Sequence, residues 1–304
     1  MNAMKIVFAG TPEIAAAALR RISQEHEVVL AVTMPDAVVG RKKVLTPSPV
    51  ASAAAELGIP VMKASRIGPT EDLQLSSSGA ELAVVIAYGA LLPESTLALF
   101  PWLNIHYSML PAFRGATPLQ HSMIQNTGVG ISIFRLDQGM DTGPLIAQKP
   151  MEFLAGETAD QALHRFTAVG VELLLDSLSS TLKETPQVGV ASYAPKFSRL
   201  DAKLNLDESA DQIERKVRAF NPEPTAWVTH SDQPLRIISV SQLTSLPEDK
   251  GLVTGQVAKL ETGQVVLKVG GGGWLELEEV QPAGKSKMSG SQWWNGLRGE
   301  ARFE

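Results

Sequence analysis

Cysteine is absent from all 304 residues. That excludes disulfides, thiolate nucleophiles and Cys-ligated zinc together, and it fits a reducing cytoplasm. Histidine is scarce, at five residues. None of them falls in a His-Glu-x-x-His or similar spacing, so no metal site is expected. Long apolar runs are missing as well. The longest near-unbroken stretch, Leu82–Leu92, is far short of the ~20 residues a membrane span needs, so no membrane partner is expected. No charged-then-apolar leader precedes the first strand-like run at Lys5–Ala9, so neither a signal nor a transit peptide is expected. Nor is there an excess of one charge. The net charge of −5 gives no global field toward nucleic acid, and an RNA partner would have to be held by local groups such as Arg41-Lys42-Lys43. What remains is an ordinary globular balance, 44% apolar and 19% charged, with length for about two domains.

The first 180 or so residues alternate strand-like and helix-like text. A short apolar run stops at Gly10-Thr11-Pro12, and an Ala-rich helix is predicted over Glu13–Ile22. Strands are predicted at Glu27–Val32 and Pro60–Met62, with a helix over Val50–Leu57 between them. Leu82–Ala87 is apolar throughout, as suits a strand buried on both faces of a parallel sheet. Such alternation argues for βαβ units and an α/β domain. Gly10 is not followed by the Gly-x-Gly-x-x-Gly pattern, so a dinucleotide fingerprint is not supported. Ser177–Val190 reads as the exit into a linker, Ala210–Ala219 as an amphipathic helix, and five short strands follow between Trp227 and Leu277. This second part suggests a small barrel or sandwich. The expected divisions are 1–183, a linker at 184–206, and 207–304.

Two polar clusters interrupt the apolar pattern. In Leu103-Asn104-Ile105-His106-Tyr107-Ser108-Met109-Leu110-Pro111, an extended backbone would put Asn104, His106 and Ser108 on one face and Ile105 and Tyr107 on the other. Such a face either closes an internal hydrogen-bond network or offers an amide donor, a base and a hydroxyl to one ligand. The second cluster, Asp137-Gln138-Gly139-Met140-Asp141-Thr142-Gly143, follows a run from Gly130 to Leu136 that alternates as a half-buried strand does. It lacks the twelve-residue calcium pattern, and it reads either as a plain turn or as a loop that holds a carboxylate tightly.

Asn-x-His, Ser-Met-Leu-Pro, Arg114-Gly115-Ala116-Thr117-Pro118 and Asp-x-Gly-Met-Asp-Thr-Gly, in this order, resemble the signature of the folate-dependent formyltransferases. Phe8–Pro12, Pro35-Asp36, Gly40–Lys43, Ala87-Tyr88-Gly89, Tyr193-Ala194-x-Lys196 and Arg218–Pro222 extend the likeness, over essentially the whole chain, to the branch that acts on initiator tRNA. The resemblance implies a Rossmann-like α/β domain followed by an all-β OB-like barrel, and a monomer. It implies transfer of a formyl group from 10-formyltetrahydrofolate to the amino group of methionyl initiator tRNA. Carried over by position, it makes Asn104, His106 and Asp141 catalytic and Ser108, Met109, Leu110 and Pro111 the folate segment. Arg41, Lys42 and Lys43 become candidate tRNA contacts. The chain departs from the pattern at Tyr107, where glycine is common, at Thr117, at Ala37–Val39 before Gly40, and in a shortened stretch between Gln120 and Ile131. A related enzyme acting on glycinamide ribonucleotide or an amino-sugar nucleotide is the alternative. The chemistry suits the residues either way: an amide can donate to an oxyanion, and a histidine can move the amine proton or donate to the oxyanion. No metal and no covalent enzyme intermediate is needed.

Overall fold

The computed structural model describes residues 3–40, 43–243, 251–297 and 301–304. Its contacts group into two compact units. The first comprises Met1–Pro118, Gly128–Glu152 and Leu163–Ala194, and the second Leu119–Thr127, Phe153–Ala162 and Pro195–Glu304. The units are thus interleaved in sequence, and residues 119–127 and 153–162, inside the expected first domain, pack with the second.

The first unit is a seven-stranded sheet flanked by helices. The elements from residue 5 to residue 178 are, in chain order, β1 (Lys5–Gly10), α1 (Glu13–Ile22), β2 (Glu27–Thr33), β3 (Ala37–Val39), β4 (Val44–Thr46), α2 (Pro49–Glu56), β5 (Val61–Lys63), α3 (Pro69–Ser77), β6 (Leu82–Ile86), α4 (Glu94–Leu97), β7 (Trp102–His106), α5 (Pro118–Gln125), β8 (Gly130–Arg135), β9 (Leu145–Pro150) and α6 (Ala159–Leu178), of which α5 after Pro118 and the first turn of α6 group with the second unit. The order across the sheet is β5-β2-β1-β6-β7-β8-β9, while β3 and β4 form a separate hairpin. The first five of these strands are parallel, and β8 and β9 add on antiparallel. This is the Rossmann-like arrangement. α1 occupies the span read from its periodicity, with Ile14, Ala15, Ala18, Leu19 and Ile22 buried.

Three local expectations change. β8 is not half-buried, because its first five residues are all buried. The antiparallel β9, which the sequence did not announce, covers its edge. α6 continues to Leu178, so Ser177 belongs to a helix rather than to a linker. The stretch after it is also paired: Thr185 exchanges two backbone hydrogen bonds with Leu145, at 2.8 and 2.9 Å.

The second unit contains α7 (Ala210–Ala219), β10 (Trp227–His230), β11 (Gln233–Gln242), β12 (Gln256–Lys259), β13 (Val265–Lys268), β14 (Trp274–Pro282), β15 (Met288–Ser289), α8 (Gly290–Asn295) and β16 (Ala301–Arg302). The strands run β10-β11-β14-β13-β12-β16, with β15 on β14, and every pairing is antiparallel. Beyond β16, Glu304 exchanges two 2.9 Å backbone hydrogen bonds with Thr229 of β10, which brings the two ends of the sheet together. The result is a nearly closed barrel around Val228, Leu235, Ile237, Val265, Leu267, Leu275, Leu277 and Phe303. No helix of the described residues is long and apolar enough to cross a membrane.

Candidate active site

β7 ends at His106, and its alternation sorts the first polar cluster. Ile105 touches α6, whose Gly170 lies against the Ile105 side chain. Tyr107, just past the strand, meets the Thr167 hydroxyl of α6 at 2.8 Å. Asn104 and His106 therefore face the opposite side of the sheet. The Asn104 amide makes no side-chain hydrogen bond with the described residues and is only half-buried, so its two N–H donors stay unspent.

His106 is 4% exposed. Its Nε2 lies 2.9 Å from the carbonyl oxygen of Phe113. A carbonyl can only accept, so Nε2 carries the proton, and in the neutral ring Nδ1 keeps its lone pair. That Nδ1 lies 3.7 Å from Oδ2 of Asp141. Burial pulls the imidazole below its usual range, while the Asp141 charge and the Phe113 carbonyl oppose that pull. The edge of the Phe134 ring from β8 completes this wall, 6.1 Å between centroids at 88°.

Asp141 sits on the loop between β8 and β9 at φ 52°. Its Oδ2 accepts the Gly115 N–H at 2.7 Å. Gly115 itself has φ 128°, and a Cβ there would lie 2.7 Å from the Ala194 carbonyl oxygen, so only glycine fits. The other carboxylate of this cluster has a different task. Asp137 closes its own turn, accepting from Gly139 N at 3.0 Å and from the Thr142 hydroxyl at 2.6 Å. Among the described residues no group of three or more His, Cys, Asp or Glu could hold a metal ion.

Within the segment Ser108–Pro111, Ser108 does not share a strand face with Asn104 and His106 as the sequence suggested. Ser108 lies beyond the end of β7 rather than on it. Its hydroxyl is fully buried and donates to Ala112 O at 2.6 Å, so it offers no hydroxyl beside Asn104 and His106. Ser132 of β8 donates to Ser108 O at 2.7 Å and accepts from Leu110 N at 3.0 Å, and Gln148 of β9 donates to Leu110 O at 2.9 Å. Met109 N donates to Gly128 O, and Pro111 O accepts from Ser192 N. With these polar groups committed internally, the segment is a fixed wall rather than a row of free donors. Of the three basic residues, Lys43 is exposed at the tip of the β3–β4 hairpin, its N–H 3.1 Å from Gly40 O. Arg41 and Lys42 lie outside the described residues.

Several participants went unread. Ser132 left a trace, as a serine within the otherwise apolar Gly130–Phe134 run. Gln148 and Gln187 left none. Gln187 lies in text that reads as linker, yet its side chain bonds to both loops around Asp141.

A family profile described as formyl transferase matches residues 4–178, more than half of the chain, and the formyl transferase C-terminal domain matches residues 196–298. The chain belongs to the formyl transferase family. Among curated relatives, the methionyl-tRNA formyltransferase of Clavibacter sepedonicus is 38% identical over 302 residues, covering 97% of both chains. Among solved structures, the methionyl-tRNA formyltransferase from Clostridium thermocellum aligns with a TM-score of 0.60 at 16% identity, covering 80% of this chain and 95% of that one. HypX from Aquifex aeolicus in complex with tetrahydrofolic acid aligns at 0.64 and 16% identity, over 96% of this chain and 47% of that chain. These two structural likenesses bear on the fold of this formyl transferase: a Rossmann-like unit and a nearly closed barrel.

Proposed function

We propose that this formyl transferase moves the formyl group of 10-formyltetrahydrofolate onto the α-amino group of methionyl initiator tRNA. The observation that carries the reading is the likeness over both domains to relatives named methionyl-tRNA formyltransferase. A shared catalytic domain alone would suit any amine acceptor, as expected for one chemistry grafted on a common fold.

In this reading the attacking amine adds to the formyl carbon, and the unspent Asn104 amide donates to the oxygen as negative charge develops there. Nδ1 of His106 takes the proton that the amine sheds, and Asp141 stabilises the imidazolium so formed. The same proton returns to the folate nitrogen as its bond to the formyl carbon breaks, so the ring ends neutral. The Ser108–Pro111 wall, backed by Ser132 and Gln148, shapes the folate side. Arg41, Lys42 and Lys43 grip acceptor-arm phosphates, and the barrel serves as a further RNA platform. The enzyme works in the cytoplasm as a monomer.

Radiolabelled 10-formyltetrahydrofolate, offered together with methionyl initiator tRNA, glycinamide ribonucleotide or an amino-sugar nucleotide, tests this. Label is expected on the aminoacyl-tRNA only, with a rate about 10²–10⁴-fold lower for His106→Ala. Label on a small amine and none on tRNA would keep the chemistry and overturn the substrate.

A further inference from the structure

We propose that Gln187 is a positioning residue for formyl transfer, one that locks the Asp141 loop to the Arg114–Gly115 loop. This inference rests on the function proposed above. The carboxamide of Gln187 is saturated. Its Nε2 donates to Asp141 O and to Gly143 O, each at 2.8 Å, and its Oε1 accepts from Arg114 at 3.2 Å from Nε and 2.7 Å from Nη2. Two donors and two acceptor positions are all that a glutamine has.

The three loops it joins are remote in sequence, 46 residues separating Gln187 from Asp141 and 73 separating it from Arg114. Each matters to His106. Phe113 supplies the carbonyl that fixes the ring, and Gly115 supplies the N–H that aims the Asp141 carboxylate. Asp141 itself holds a left-handed backbone, φ 52°, which aspartate tolerates better than most residues and which the two bonds from Gln187 to its loop hold in place. The neighbours of Gln187 are turned outward, Val188 at 86% and Val190 at 94% exposed, so the inward glutamine stands out against its own segment. Further along, the segment is laced to the same loop: Phe113 N donates to the Ser192 hydroxyl at 2.9 Å, Arg114 N to Ser192 O and Ala194 N to Arg114 O, both at 2.8 Å. The stretch that reads as a linker is thus part of the frame that holds His106 and Asp141 together.

The test uses the full chain with 10-formyltetrahydrofolate and methionyl initiator tRNA, comparing Gln187→Ala in the wild-type and Asp141→Asn backgrounds. Gln187→Ala is expected to lower kcat about 10- to 100-fold, the loss typical of a misplaced reacting group, with KM for both substrates changed less than about twofold. The inflection of the kcat/KM profile that belongs to His106 moves to lower pH, because the nearby anion is no longer held in place. The groups facing that ring from the packed elements are Asp141, the Phe113 carbonyl, and Ser132 and Phe134 of β8, so Asp141 is its titratable neighbour. In the Asp141→Asn background the same change should cost less than about twofold further. Gln187→Glu is the second variant should Gln187→Ala fail to fold. It keeps the acceptor for Arg114 and opposes a carboxylate to the two carbonyls, and the same kcat loss is expected. Equal losses in both backgrounds, a loss confined to KM, or lowered stability with unchanged kcat would overturn the proposal. A wild type that formylates only a small amine overturns the proposed substrate instead, and the cycle is then read on that amine.

Discussion

At the residue scale, the proposed chemistry turns on a buried histidine with one anion beside it. His106 is drawn below the usual value of about 6.5 by burial, with Asp141 opposing. If neutral His106 is the base, the acidic limb of kcat/KM lies below that value. Asp141→Asn removes the charge that favours the imidazolium and moves the limb lower still, and a limb that moved upward would contradict the assignment. Folding feels the same burial. The unfolded ring binds a proton near the ordinary value and the folded ring only at lower pH, so stability rises with pH through that window and its His106 contribution is complete above it. Urea midpoints measured at pH 5.5 and 7.5 should therefore climb more for wild type than for His106→Gln.

At the element scale, α6 is the plane against which β7 and β8 are set. Thr167 already donates its proton to Leu163 O at 2.7 Å, so the Tyr107 hydroxyl is the donor in their 2.8 Å contact. Burial pushes the Tyr107 phenol up to about 12, which keeps that donor protonated at every working pH. Tyr107→Phe should cost about 0.5–1.5 kcal/mol in urea unfolding and leave kcat nearly unchanged. Where the resemblance leads one to expect glycine, Tyr107 makes this 2.8 Å bond to α6. Gly170 is tighter. A Cβ would lie 2.9 Å from Ile105 and 3.3 Å from Ile131 side-chain carbons, so Gly170→Val should cost about 1–3 kcal/mol and lower kcat by shifting the strand that carries Asn104 and His106. Unaltered activity in a folded Gly170→Val enzyme would show that β7 does not depend on this contact.

At the scale of the whole molecule, two units carry separate cores, and the barrel depends on residues 301–304. Phe303 is 3% exposed within the barrel core, its N–H bonds Gly255 O at 2.8 Å, and the next residue meets β10. Phe303→Ala should destabilise the second unit by about 3–5 kcal/mol. Calorimetry should then resolve an earlier transition, formylation of tRNA should fall, and tetrahydrofolate binding, measured by titration, should persist. Loss of folate binding in that variant would show that the first unit does not hold its site unaided.

Local sequence determined much of this protein. Apolar periodicity delimits α1, and periodicity together with the Ser209–Gln212 capping box delimits α7. Unbroken apolar text marks β6 as a strand covered on both faces. The order of its motifs, through their resemblance to a family, singled out Asn104, His106 and Asp141 as catalytic candidates. Tertiary structure decided the rest: that Asp141 rather than Asp137 faces the histidine, that Ser108 is consumed inside its own turn, that β9 seals β8, and that Gln187 belongs to the site. The reason is one of distance along the chain. Gly115 meets Asp141 across 26 residues, Gln187 meets Asp141 across 46 and Phe113 meets Ser192 across 79. Propensity and periodicity reach only a few residues, whereas a single hydrogen bond can join any two loops that packing brings together.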